Sequence, residues 1–190
     1  MRTVSKLLIV EKTYSLYNPD RMKKIVALVH DLYEESELLY PVYRVREEGH
    51  AVDIAGERGD VLYRGKSGYT CKSMISYDEI AEADYDGVII PGGFAPDKLR
   101  RFDAVLRCVR AMDDRGGVIA FICHGGWVPV SAGILRGKKV TGTDAIRDDL
   151  INAGAIWVDD RPVVIDGHLI SSRTPADLPQ FGKAIVRALC

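Results

Sequence analysis

The stretch VIAFICHGG, residues 118–126, decides the fold class of this 190-residue chain. Its first five residues form a continuous apolar run, which is typical of a strand buried on both faces of a parallel sheet. Gly125 and Gly126 allow the backbone to turn closely after that run, and a helix is predicted to begin near them. The sequence therefore predicts a strand-to-helix elbow that exposes the Cys123 side chain at the sheet edge.

Strands and helices alternate on both sides of this elbow. Strands are predicted at Ile25–Val29, Ala51–Ala55, Gly87–Ile90 and near Val140, and helices at Ser36–Glu48, Asp103–Arg115, Ala145–Ala153 and Leu178–Leu189. Residues 59–74 and the segments that flank Asp166-Gly167 are predicted to form hairpins. This alternation predicts an α/β fold with a doubly wound parallel sheet, in which sites form at the carboxyl ends of the strands.

The domain organisation follows from the first strand. Because that strand begins only after Met22, residues 1–21 are predicted to be an N-terminal extension and residues 22–190 to form the domain. Two alternatives stay open at this point: Lys6–Val10 pairs as an added edge strand, or Met22 is the true start.

Composition excludes several classes of function. The formal net charge is -1, from 26 Lys and Arg against 27 Asp and Glu, so a general nucleic-acid binder is not expected. No apolar run approaches the ~20 residues of a membrane span. The four cysteines lack metal-site spacing, and no GxGxxG or P-loop pattern occurs, so no metal and no cofactor is predicted. We expect a cytoplasmic protein with free thiols.

The elbow also predicts chemistry. Unpaired N–H groups and the partial positive charge of a helix N-terminus favour the thiolate of Cys123. The amides of His124 and Gly93 are candidates to hold an oxyanion. Glu34, in the loop after the first strand, is a candidate carboxyl that is protonated and donates a hydrogen bond to the sulfur. An inert, buried cysteine is the alternative interpretation, which we prefer for Cys108.

The order of several blocks resembles that of a known family. The segments YEESELLYPVYRVREEGHAVDIA, VIIPGGFAPDKLR, AFICHGGWVPVSAGILRGKKVT and VVIDGHLISSRTPADL resemble PfpI-type members of the ThiJ/PfpI superfamily. The resemblance covers nearly everything from Met22 to the C-terminus. It implies a flavodoxin-like sheet sandwiched by helices, similar to class I glutamine amidotransferases, no cofactor, and assembly into dimers or hexamers with the site near a subunit interface.

The resemblance also implies roles for individual residues. It assigns the nucleophile to Cys123, the adjacent histidine to His124 and the strand-end glutamate to Glu34. It assigns the oxyanion turn to Gly92-Gly93. In peptidase members, a glutamate from a neighbouring subunit orients the histidine, and that position matches Asp97 here, which is one methylene shorter.

Three functions follow as competing hypotheses. The first is a cysteine hydrolase of the PfpI type that acts on peptides, with Cys123 attacking a carbonyl. The second is a cofactor-free glyoxalase or protein deglycase that acts on small α-oxoaldehydes. The third is a non-catalytic redox sensor or stress chaperone. A glutamine amidotransferase is set aside, because only His168 follows His124 and it lacks the His-x-Glu pattern.

Overall fold

The computed structural model describes residues 22–190, so the predicted extension at residues 1–21 lies outside the described residues. The strands within this range are β1 (Lys24–Leu28), β2 (Ala51–Gly56), β3 (Leu62–Arg64), β4 (Thr70–Lys72), β5 (Ile75–Ser76), β6 (Gly87–Ile90), β7 (Val118–Ile122), β8 (Lys139–Val140), β9 (Ile156–Trp157), β10 (Val163–Asp166) and β11 (Leu169–Ser172). The α-helices are α1 (Glu35–Glu47), α2 (Ala95–Leu99), α3 (Asp103–Arg115), α4 (Trp127–Ala132), α5 (Arg147–Asn152) and α6 (Leu178–Leu189).

The central sheet has seven strands in the order β10-β11-β7-β6-β1-β2-β5. Neighbouring strands are parallel, except that β10 and β11 form an antiparallel hairpin. Strands β3 and β4 form a separate antiparallel pair, as predicted for residues 59–74. The α/β fold with a mostly parallel sheet is therefore confirmed.

The packing explains why these segments take these forms. Every residue of β6 and β7 is buried, which is expected for strands covered on both faces. Helix α1 packs against α6, and α3 packs against α4, so two helical layers enclose the sheet. The predicted apolar face of α3 is fully buried at Val105, Cys108, Val109 and Met112. Burying a side chain of this size contributes about 1.5–3 kcal/mol.

Two local predictions differ from the structure. Asp103 is the first residue of α3 and not its N-cap, which is Phe102 without a side-chain hydrogen bond. The helix predicted over Ala145–Ala153 begins as a 3-10 turn at Asp144–Ile146 before α5 starts. No helix in the part of the chain that the structure describes is long and apolar enough to cross a membrane.

The strand order determines where the site forms. Strand β6 lies between β1 and β7, and all three run parallel. Their carboxyl ends therefore meet at one edge of the sheet, where parallel α/β sheets form their sites. The segments that leave these ends are the loop before α1, the glycine turn after β6 and the elbow after β7.

Candidate active site

The elbow holds Cys123 in an unusual backbone conformation. Its φ is +59°, in the left-handed region that residues other than glycine rarely adopt. The chain passes through a 3-10 turn at Cys123–Gly126 and continues into α4. A Cβ on Gly125 would lie 2.6 Å from the Ile90 carbonyl oxygen, so glycine is required for this close approach. The elbow predicted from the sequence is therefore present, and the Cys123 residue is partly exposed.

The glycine turn after β6 lies directly beside the elbow. Gly93 has a φ of +76° and pairs with Tyr33 in an isolated antiparallel bridge. The N–H groups of Gly93 and His124 lie beside the Cys123 sulfur, where they favour its thiolate and oppose the effect of burial on its pKa. The structure thus brings together the two amides that the sequence singled out, and their role in holding an oxyanion stays a prediction.

A buried carboxyl group completes the surroundings of the sulfur, and it belongs to Glu37. This residue is fully buried in the first turn of α1, and its Oε2 accepts a hydrogen bond of 2.8 Å from the Gly92 N–H. The carboxyl group and the Cys123 thiol are close enough to change each other's pKa. The Glu37 Oε1 atom is buried and has no hydrogen-bond partner among the described residues.

The assignment of this carboxyl group to Glu34 was therefore wrong. Glu34 precedes α1, where it forms an ion pair with Lys66 and accepts a 2.8 Å hydrogen bond from the Ser36 hydroxyl. Because the helix starts at Glu35, its buried face begins with Glu37, which lies four residues before the buried Pro41. That spacing is the sequence signal that identifies Glu37, since residues at i and i+4 share a helix face.

Burial dominates the protonation of the site. It raises the pKa of Glu37 from 4.5 to about 7, although the Gly92 hydrogen bond opposes the shift. Burial, followed by the negative charge of Glu37, raises the pKa of the Cys123 thiol to about 12. The expectation that the surroundings ionise this thiol is contradicted by the direction of the shift, because burial and the charge of Glu37 outweigh the amides of His124 and Gly93.

The two acids must be treated as a coupled pair. Two adjacent negative charges in a buried site disfavour each other, so near neutral pH one proton stays between the Glu37 carboxyl group and the Cys123 sulfur. A thiolate forms when Glu37 holds that proton. The pair can therefore deliver a nucleophile and an acid together.

His124 lies next to the sulfur from the other side. Its Nδ1 is 3.3 Å from the Cys123 Sγ, and its ring contacts the edge of Trp127 at a centroid distance of 5.2 Å. Burial, followed by the charge of Lys66, lowers the pKa of His124. The imidazole is therefore neutral at neutral pH and can accept a proton from the thiol.

Asp97 has a different local partner. In α2 its carboxylate accepts two hydrogen bonds from Arg101, at 3.0 and 2.8 Å, and about 45% of its side chain is exposed. The proposed contact with His124 of a neighbouring subunit stays a prediction. Across residues 22–190, no group of three His, Cys, Asp or Glu side chains is arranged to hold a metal ion.

Taken as chemistry, the site contains a thiol, a carboxyl group that shares its proton, a neutral imidazole and two amide donors. This set suits the addition of sulfur to a carbonyl carbon with protonation of the resulting oxygen. Lys66, which the sequence analysis did not identify, adds a positive charge near the mouth of the site. No local pattern marks Lys66, because a hairpin remote in sequence brings it there.

Known proteins share both the sequence and the fold. The family model described as DJ-1/PfpI matches residues 23–188. The deglycase PfpI of Pyrococcus furiosus is 42% identical over 167 residues, which cover 87% of this chain and 99% of that protein. The protein/nucleic acid deglycase 2 of Escherichia coli is 36% identical over 168 residues, which cover 88% of this chain and 98% of that protein.

The solved structures agree. The crystal structure of Drosophila melanogaster DJ-1beta has a TM-score of 0.84 and 28% identity, covering 88% of this chain and 90% of that one. The chain belongs to the DJ-1/PfpI family.

Proposed function

We propose that the protein is a cofactor-free deglycase and glyoxalase that acts on α-oxoaldehydes and on their early adducts with amines. The observation that carries this proposal is the buried Glu37 carboxyl group, whose pKa of about 7 lets it exchange a proton beside Cys123 near neutral pH. The names of the relatives support it, since proteins 36% and 42% identical over nearly their whole length are deglycases.

The first step is an addition. With the proton on Glu37, the Cys123 thiolate forms a C–S bond to the aldehyde carbon, and the C=O electron pair moves to oxygen. Glu37 then protonates that oxygen, which leaves a hemithioacetal and a carboxylate. When the carbon carries an amine as a hemiaminal, the sulfur forms the C–S bond as the C–N bond breaks, and the amine leaves with the proton from Glu37, which becomes a carboxylate.

The second step moves hydrogen within the adduct. The Glu37 carboxylate removes the proton from the carbon bonded to sulfur, and an enediolate forms. Glu37 returns that proton to the neighbouring carbon, and the hydroxyl proton on the carbon bonded to sulfur moves to the neighbouring oxygen, which gives the thioester of a 2-hydroxy acid. Water then cleaves the thioester, releasing the acid and the thiol, so the net change is addition of one water to the α-oxoaldehyde.

Turnover without added thiol tests the proposal. The wild-type protein should convert methylglyoxal to lactate, Cys123→Ala should be inactive, and Glu37→Gln should lose at least about 100-fold in kcat. Cys190→Ser, which removes an exposed thiol, is the matched control and should keep wild-type activity. A Cys123→Ala protein that still produces lactate would refute the mechanism.

The deglycase activity needs its own measurement. A glyoxalase that only consumes free methylglyoxal also causes net loss of the adducts, but no faster than the adducts dissociate spontaneously. We therefore expect amine release from a preformed N-acetylarginine adduct to exceed that rate in wild type and not in Cys123→Ala. Release limited to the spontaneous rate would restrict the proposal to glyoxalase chemistry.

A peptidase is a second candidate, because the His124 Nδ1 lies 3.3 Å from the Cys123 Sγ, as a thiol–imidazole pair requires. This function needs a carboxylate that orients the imidazole, which Asp97 of a neighbouring subunit would provide. Cleavage of unfolded casein that is lost in Asp97→Asn and retained in Glu37→Gln would favour it over the deglycase.

A further inference from the structure

The loop between β3 and β4, residues 65–69, is held firmly against the site. The Lys66 N–H donates a hydrogen bond of 3.0 Å to the Tyr33 carbonyl. The next residue, Ser67, donates its N–H to the Glu35 carboxylate at 2.7 Å. Both acceptors belong to the segment that enters α1. The loop is therefore placed by main-chain donors, which hold the Lys66 backbone beside the segment that leads to Glu37.

The Lys66 ammonium forms an ion pair with Glu34 near the buried proton pair. Only 13% of the Glu34 side chain is exposed, against 46% of the Lys66 side chain, so solvent screens this pair incompletely. Lys66 and Glu34 act on Glu37 with opposite signs: the cation lowers the pKa of Glu37, and the anion raises it. The hydrogen bond with Glu34 raises the pKa of Lys66, and the negative charges of Glu37 and Cys123 add to that shift.

We propose that Lys66 and Glu34 are a positioning pair that balances the charge at the Cys123–Glu37 site and thereby sets how readily the thiolate forms. Lys66 favours the state with one negative charge, and Glu34 opposes it. Because their charges are opposite, Lys66 and Glu34 together add almost no net charge to the surroundings of Cys123 and Glu37. The inference rests on Cys123 being the reacting thiol of the proposed function, and it does not depend on the substrate.

Several elements place titratable side chains around the Cys123 sulfur. In the part of the chain that the structure describes, α1 contributes Glu37, the segment before it contributes Glu34, the hairpin contributes Lys66, and the elbow contributes His124. His124 is neutral at neutral pH, and the Glu35 carboxylate is held by the Ser67 N–H. Lys66 and Glu34 are therefore the opposite charges that act on Glu37 and can be removed separately.

The test is the rate of iodoacetamide labelling of Cys123, read by peptide mass spectrometry at pH 8. Lys66→Met leaves Glu34 uncompensated, so we expect labelling to slow by about five- to tenfold. Glu34→Gln leaves Lys66 uncompensated, so we expect labelling to accelerate by a similar factor. The double variant should return to within about twofold of wild type, and 1 M NaCl should shrink both single effects.

Controls separate charge from structure. Lys72→Met removes another lysine of the same hairpin, which pairs with the exposed Asp60, and should leave the rate unchanged. Lys66→Arg should restore the wild-type rate, since it keeps the charge. Circular dichroism and a thermal melt confirm folding. If both single variants change the rate in the same direction, or if the double variant stays as far from wild type as either, the proposal is overturned.

This experiment also separates the inference from the proposed function. If the two single variants change the labelling rate in opposite directions but wild type does not turn over methylglyoxal, the positioning pair is retained and the deglycase proposal is rejected. If wild type turns over methylglyoxal and Lys66→Met labels at the wild-type rate, the deglycase proposal is retained and the positioning pair is rejected.

Discussion

Replacing Glu37 with glutamine should raise the stability of the protein relative to wild type as the pH rises from 5 to 8. The carboxyl group is fully buried, and burial raises its pKa from 4.5 to about 7. A raised folded-state pKa means that the native protein binds this proton more tightly than the unfolded chain does. The stability it contributes is complete below the unfolded pKa and is lost as the pH rises through the folded one.

The size of the effect follows from those two values. Between pH 5 and pH 8 the wild-type protein should lose on the order of 2–3 kcal/mol of unfolding free energy through this group. A glutamine at position 37 carries no titrating proton, and its amide oxygen can still accept the Gly92 hydrogen bond. We therefore expect Glu37→Gln to gain on the order of 2–3 kcal/mol relative to wild type over this interval.

Urea unfolding at pH 5, 6, 7 and 8, at one protein concentration, measures the difference directly. The matched control is Glu47→Gln, an exposed glutamate at the other end of α1, whose difference from wild type should not change over this pH range. If the difference between Glu37→Gln and wild type is the same at pH 5 and pH 8, Glu37 does not hold a proton in the folded state and the account of the site is wrong.

Three further outcomes are expected. Gly92→Ala should abolish labelling of Cys123 and cost about 1–3 kcal/mol in a thermal melt, because its Cβ would lie 2.5 Å from the Glu37 Oε2 and 2.7 Å from the Cys123 Cβ. Cys108 should stay unlabelled by iodoacetamide in the native protein at pH 8 and react once urea unfolds it, since it is fully buried with a pKa raised to about 12. Asp97→Asn should change methylglyoxal turnover by less than about twofold, because the deglycase steps do not use this carboxylate; a larger loss measured with purified protein would favour the peptidase.

Much of the fold was predictable because its elements carry local signals. The apolar runs of β6 and β7 and the spacing on α3 identify buried strands and an amphipathic helix directly. The position of Cys123 followed from the same reasoning, since a strand that runs into two glycines must turn sharply. These features depend on neighbours in sequence, so the sequence alone reveals them.

The acid of the site was harder to predict. Three glutamates occur between positions 34 and 37, and which one faces the sulfur depends on where α1 begins. A shift of that start by a single residue rotates the helix face by about 100°. Lys66 could not be found at all, because its place depends on a hairpin docking against a segment some thirty residues earlier. The ionisation of Cys123 was misjudged because a short helix was given more weight than burial.

The contact of Glu37 with both the Gly92 amide and the Cys123 thiol has a consequence for biosynthesis. The three groups come from a helix, a turn and an elbow that are separated by long stretches of chain, so they meet only when the sheet is assembled. A nascent polypeptide carries an ordinary cysteine, and its special reactivity arises with the tertiary structure. The rate at which Cys123 is labelled during refolding can therefore report when the last stage of folding is complete.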